Sequence, residues 1–292
     1  MMAAFDDGVR AKLDANMRNW DARAPIHAQS RFYGIGSRDP VSWFAPFEWR
    51  DLGPLVDREI VHLQCHLGTE TMAFARKGAM TTGLDFSSAS VREARQIACQ
   101  FGLSIDYVCA DVYDAVDALG AQRFDIAYTG KGALCYLPDL PAWADTVTRL
   151  LRPGGFLYVV EFHPLLNALG PTQKPGLPDD LTIRHDYLGG RGPVERDSAH
   201  SYTDGPPLRG PTRHYEWPHG LGEVVTAIAR AGLVIESVTE TDLLPWPRWP
   251  RMVRTDDGWW TLPPSEPTFP VMYGLKATKP DPTNLTVRLG DS

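Results

Sequence analysis

Few cysteines, no long apolar run and no block of basic residues set the first limits on this chain. Its four cysteines, Cys65, Cys99, Cys109 and Cys135, stand singly, without the density of a disulfide scaffold or the paired spacing of a zinc site. They read as core thiols in a reducing cytosol. No apolar stretch reaches the roughly 18 residues of a membrane-spanning helix, and the N-terminus lacks a basic head followed by an apolar core. The chain therefore reads as soluble, unexported and cytoplasmic, with no membrane partner. Lys and Arg total 29 against 36 Asp and Glu, for a net charge of −7. They are scattered, which argues against nucleic acid as a main partner, because a phosphate backbone needs a clustered positive face. Repeats and low-complexity tracts are also missing. What is present, 292 residues with 43% hydrophobic content, suffices for one large core carrying an insertion.

The most informative stretch is EIVHLQCHLGTETMAFARKGAMTTGLDFS, residues 59–87. A short apolar run at 60–63, a helix-length segment at 69–77 and a second run at 81–85 make the opening of a β-α-β unit. Gly68 falls in the strand-to-helix turn, where the lack of a Cβ lets a ligand approach the backbone. Asp85 ends the second run at about the 20-residue spacing that nucleotide folds use for a ribose-binding carboxylate. A G-x-G-x-G reading aligns His66, Gly68 and Glu70, so only the middle glycine survives. A dinucleotide's pyrophosphate would sit against the helix N-terminus, where Glu70 repels it. The inferred ligand has a ribose and no phosphate at this turn, which points to S-adenosylmethionine.

LQCHLGTET, TGLDFS, ADVYD and LLRPGGFLYVVEFHP, in that order, resemble the class I S-adenosylmethionine-dependent methyltransferases, particularly bacterial small-molecule enzymes, over about 59–162. The resemblance implies an α/β, Rossmann-like seven-stranded sheet with its last strand antiparallel and helices on both faces. It further implies a sulfonium methyl as electrophile and a small-molecule methyl acceptor. Cofactor contacts are implied at Gln64, Cys65, His66, Gly68, Asp85, Phe86, Asp111, Val112, Thr129, Gly130 and Tyr136. Asp111 would take the adenine amino group; capping the next helical turn is the alternative. The division expected is a helical lid at 1–58, a cofactor-binding core at 59–162, a substrate-cap insertion at 163–219, the end of the core with an aromatic loop at 220–280, and a tail at 281–292.

Around this core, Val9, Leu13, Met17 and Trp20 repeat at helical spacing until the pattern changes at Pro25. Trp20, His27, Phe32 and Tyr33 are candidates for the pocket, with ordinary packing as the rival. Further strands are expected at 105–110, 124–129, 156–162, 233–240 and 268–278, and helices at 89–101, 140–151 and 221–231. His163, at the tip of the fifth strand, is the first choice for a general base because imidazole titrates near neutrality, with Tyr33 and His214 behind it. Substrate contacts are expected from Tyr33, His163, Tyr202, His219 and Trp246. His214, Glu216 and His219 do not share one face of an extended segment, so no metal is expected. Lys131 reads as solvated, an acidic substrate being the alternative. Trp246, Trp249, Trp259 and Trp260 in one loop suggest a wall for a flat substrate or a subunit interface, a homodimer being open. Two competing functions remain: transfer of an aminopropyl group from the same cofactor, and cofactor binding without turnover.

Overall fold

The computed structural model describes residues 5–170 and 181–285. Its strands are β1 (Glu59–Leu63), β2 (Met80–Asp85), β3 (Asp106–Cys109), β4 (Phe124–Thr129), β5 (Leu151–Phe162), β6 (Val194–Asp197), β7 (Arg213–Glu216), β8 (Val234–Thr241), β9 (Val253–Arg254), β10 (Trp260–Thr261) and β11 (Met272–Thr278). The helices are α1 (Asp7–Ala28), α2 (Pro46–Leu52), α3 (Thr69–Arg76), α4 (Ser88–Gln100), α5 (Ala115–Leu119), α6 (Leu140–Leu150), α7 (Pro164–Leu169), α8 (Leu221–Arg230) and α9 (Pro282–Leu285). Seven strands form one sheet in the order β3-β2-β1-β4-β5-β11-β8, and β11 runs antiparallel to both its neighbours. This is the Rossmann-like arrangement expected, with the last strand of the chain reversed.

Side chains alternate across the sheet with a period of two, and each face buries its own set. Val61, Leu63, Leu157 and Leu275 pack with α6 and α8, whose Trp143, Val147, Leu150 and Ile228 recur at helical spacing. Ile60, Tyr128, Tyr158 and Met272 face the other way and pack with Phe74 of α3 and with Phe47 of α2. Trp249 and Trp259 join this second core. The aromatic loop is thus mainly core, and of its tryptophans Trp246 is the one that reaches the cavity described below. Cys65 is buried and Cys135 partly so, but Cys99 and Cys109 are exposed, which corrects the reading of all four as core thiols.

The helix α1 continues through Pro25, and its buried face is not the apolar stripe. Asn16, Asn19, Arg23 and His27 are enclosed, whereas Val9, Leu13, Met17 and Trp20 are only partly covered. Asn16 explains the inversion: its amide donates to the Tyr215 carbonyl at 2.9 Å and accepts the Tyr215 N–H at 2.7 Å. One side chain thereby stands in for a neighbouring strand along β7, and Asn19 adds a bond to the Pro211 carbonyl. Between β5 and α8 lie α7 and the antiparallel pair β6–β7; the strand-like pieces near 181–183 and 200–202 are irregular. Part of the expected cap, 171–180, and most of the expected tail, 286–292, lie outside the described residues. Among the described residues no helix is long and apolar enough to cross a membrane.

Candidate active site

A cavity of about 620 Å³ opens at the C-terminal ends of the parallel strands, the edge at which open α/β sheets take ligands. Its floor is the turn after β1. Gln64 and His66 hold φ of +57° and +48°, left-handed values that side chains other than glycine adopt only at a cost of roughly 1–2 kcal/mol. The turn is held in that shape by Asp85 at the tip of β2, whose carboxylate accepts the N–H groups of His66 and Ser87, each at 2.8 Å. Burial raises the Asp85 carboxyl to about 6 in spite of those two bonds. The Gln64 amide donates to the Ala133 carbonyl at 3.0 Å, and its own carbonyl oxygen is buried without a partner.

The loop after β4 is clasped from β5. The Glu161 carboxylate accepts the N–H groups of Gly132, Ala133 and Leu134, and it lines the cavity with Gly130 and Lys131. Lys131 is not solvated, contrary to expectation. It pairs with the fully buried Glu48 at 2.9 Å and donates to the Trp43 carbonyl at 3.2 Å. Burial pushes the Glu48 carboxyl up, while Lys131 and the Ala45 N–H draw it down. The opposite wall comes from outside the core strands and includes Phe32, Tyr33, Tyr202, Trp217 and Trp246.

A family profile described as "Methyltransferase domain" matches residues 60–155. Residues 60–155 thus carry a methyltransferase domain, set in a fold of the class I S-adenosylmethionine-dependent type. A ubiquinone biosynthesis O-methyltransferase of Methylobacterium nodulans is 28% identical over 219 residues, covering 63% of this chain and 87% of that protein. One of the same name from Actinobacillus pleuropneumoniae is 32% identical over 117 residues, 39% of this chain and 50% of that one. The fold is shared with a putative S-adenosylmethionine-dependent methyltransferase from Listeria monocytogenes (TM-score 0.58, 16% identity, 84% of this chain and 100% of that one). It is shared also with one from Mesorhizobium loti (TM-score 0.52, 22% identity, 82% and 98%).

In this methyltransferase the cavity wall holds Gln64, Cys65, His66, Asp85, Phe86, Gly130 and Tyr136 of the expected cofactor contacts. It also holds Tyr33, Tyr202, His219 and Trp246 of the expected substrate contacts. Other residues stand elsewhere. Gly68 (φ +71°) makes room for a neighbour: a Cβ there would lie 2.2 Å from the Tyr107 hydroxyl and 2.7 Å from its ring. Asp111 caps the turn at 112–114 by accepting the Tyr113 N–H at 3.0 Å, and Val112 and Thr129 are buried away from the cavity wall.

His163 is not placed as the base expected of it. Its Nδ1 accepts the Leu165 N–H at the start of α7, and its Nε2 lies 2.9 Å from the Glu240 carboxylate. His214 lies behind the wall between Arg23 and Glu216. Its neighbour in sequence, His219, donates from Nε2 to the Leu137 carbonyl at 2.8 Å. Tyr33 and Tyr202 share a hydroxyl bond of 2.5 Å, and burial raises the Tyr33 phenol. Neither phenol is a base near neutrality. His27 sits one layer back, bonded through Nδ1 to His66 at 2.8 Å and through Nε2 to Ser201 at 2.6 Å; burial and Arg23 lower it to about 3. Glu161 as a loop clasp, Glu70 on the wall and the Lys131–Glu48 pair were missed as site features. Of these only Glu161, closing the run FLYVVEF at the strand tip, carries a signal in the sequence. Among the described residues no three His, Cys, Asp or Glu side chains gather to hold a metal ion.

Proposed function

We propose that this methyltransferase moves the methyl group of S-adenosylmethionine to an oxygen of a small aromatic acceptor in the cytoplasm. The observation that carries the reading is the contrast within one cavity: carboxylates and an unpartnered carbonyl on the strand-tip side face aromatic rings on the other. The first set suits a ligand with ribose hydroxyls, an ammonium and a sulfonium. Asp85 would accept the hydroxyls, while the free Gln64 carbonyl oxygen and the Glu70 carboxylate would take the ammonium. The ring wall of Phe162, Trp217 and Trp246 suits a flat apolar body. The similarity to ubiquinone biosynthesis O-methyltransferases favours oxygen as the methylated atom.

The bound cofactor supplies an already activated methyl carbon. What remains for the protein is alignment and exclusion of water. Glu161, by holding three successive N–H groups after β4, fixes the loop that lines the cavity there. Phe162, stacked edge to face on Trp246 at 4.9 Å, closes the far side.

Calorimetric titration with S-adenosylhomocysteine tests the Asp85 assignment. The carboxylate must be ionised to accept both hydroxyls, and its folded value is about 6. Affinity should therefore be full above pH 7 and weaken, up to tenfold per unit, as pH falls below 6. Asp85→Asn should bind about tenfold or more weaker at pH 7.5, as loss of a charged hydrogen-bond partner implies, and should lose the pH dependence. Equal affinity and equal pH profile in the variant would remove the ribose assignment. Incubation with catechols, phenols, anilines and indoles, read as S-adenosylhomocysteine release and product mass, tests the acceptor class. Release of methylthioadenosine in its place would mean aminopropyl transfer.

A further inference from the structure

We propose that His185 is the general base that takes the acceptor's proton during methyl transfer. This rests on the reading of an O–H acceptor above. His62, His66, His185 and His219 all line the cavity. The ring of His62 is bonded to the Thr71 hydroxyl, that of His66 to Ser90 and His27, and that of His219 to the Leu137 carbonyl. Among the described residues, His185 alone of these four has no hydrogen bond to either ring nitrogen. A base must have a free lone pair within reach of the proton it removes. His62 also leaves its Nε2 unbonded, but it is buried and burial lowers it to about 4, and the second nitrogen of His219 lies 3.3 Å from the Glu223 carboxylate; His185 is the partly exposed wall imidazole with both nitrogens free.

The placement of His185 is specific. The N–H groups of Arg184 and His185 both donate to the Ala168 carbonyl, at 2.8 and 2.9 Å, which pins the segment to the end of α7. The ring then lies over Gly170 (φ +60°), where a Cβ would come within 2.7 Å of its Cδ2 and Nε2. A glycine is required there by both the backbone angle and the ring above it. Since α7 starts directly at the tip of β5, the imidazole hangs over the same end of the sheet as Asp85.

The surrounding charges keep it in the basic form. Burial lowers the imidazole from its ordinary value, and Arg196 on β6, the adjacent Arg184 and Arg248 from the aromatic loop lower it further, against an opposing pull from Glu216 on β7. At neutral pH the ring is therefore unprotonated and able to accept. In the step itself the acceptor oxygen's lone pair forms the O–CH3 bond, and the S–CH3 bond breaks with its pair kept by sulfur. The O–H proton passes to a ring nitrogen of His185 and then to solvent. The balance is acceptor O–H plus sulfonium giving methyl ether, thioether and one proton.

Two measurements test this, with catechol as the probe. In full-length enzyme carrying 15N-labelled histidine and saturated with S-adenosylhomocysteine, the His185 ring signals are identified by their loss in His185→Gln. They should titrate below the ordinary imidazole value and move when catechol is added; signals that stay put would overturn the proposal. In turnover, His185→Gln should lose about 100-fold or more in kcat at pH 7 with S-adenosylhomocysteine affinity unchanged. The rate should recover toward alkaline pH, as catechol ionises unaided, and in part on adding imidazole. A variant with the wild-type rate and pH profile also overturns it. Wild-type enzyme that binds S-adenosylhomocysteine but never methylates catechol or any phenol would count against the oxygen-acceptor reading instead, and the histidine signals would still decide where His185 points.

Discussion

On the strand-tip side of the cavity, Asp85 and Glu161 hold the turns after β1 and β4 by accepting backbone N–H groups, five between the two loops and the turn before α4. On the other side Tyr187, Trp217 and Trp246 reach the same space as side chains carried on loops. The first wall is a backbone object, so its shape follows from φ, ψ and a few carboxylates and leaves little freedom. The second is a surface of rings on connecting segments, which can change residue by residue without disturbing the sheet. A fixed wall on one side and an exchangeable one on the other is the division of labour this construction permits.

The comparison can be broken first at the Lys131–Glu48 pair, which ties the loop after β4 to α2. Lys131→Met leaves a fully enclosed carboxylate without its counter-charge, and the loss should be about 3–5 kcal/mol, read from urea unfolding. The double variant Glu48→Gln/Lys131→Met should regain much of that, since removing both charges removes the desolvation cost as well. A single variant as stable as the wild type would mean that the strand-tip wall does not depend on this tie. The next effect is smaller. Gly68→Ala forces a left-handed alanine against the Tyr107 ring, and roughly 1–2 kcal/mol for the backbone plus about 1–3 for overpacking should appear as reduced stability. Because Gly68 is off the cavity wall, S-adenosylhomocysteine affinity of the folded fraction should change little. A large loss of affinity with no loss of stability would return Gly68 to the ligand-binding role read from the sequence.

The strands of the sheet were legible because each is a short apolar run closed by a polar residue, and Asp85 because it ends such a run. Asp111 has the same signature, and the turn after β3, which folds back at once, gives its carboxylate the Tyr113 N–H. The buried face of α1 was not legible. Periodicity counts apolar residues, whereas Asn16 is buried by pairing with a backbone 199 positions away. The Lys131–Glu48 pair spans 83 positions, and His185 lies in a stretch with no periodicity at all. Each of these depends on which distant segment arrives, and local pattern carries no record of that.

The aromatic loop gives the finest version of the comparison, because Trp246 and Trp249 are three residues apart in chain and belong to different worlds. Trp249 is 3% exposed and packs into the core below the sheet. Trp249→Ala should cost about 3–5 kcal/mol, as expected for deleting a large buried ring. Trp246 is only partly buried, stacks on Phe162 and borders the cavity. Its replacement by alanine should leave the melting temperature nearly unchanged and S-adenosylhomocysteine binding intact. It should raise the acceptor's KM several-fold, on the order of the 0.5–1.5 kcal/mol that an aromatic contact contributes beyond its area. If Trp246→Ala instead weakened the cofactor product and left the acceptor's KM alone, the two walls would have to exchange ligands, with the rings serving adenosine and the strand tips serving the acceptor.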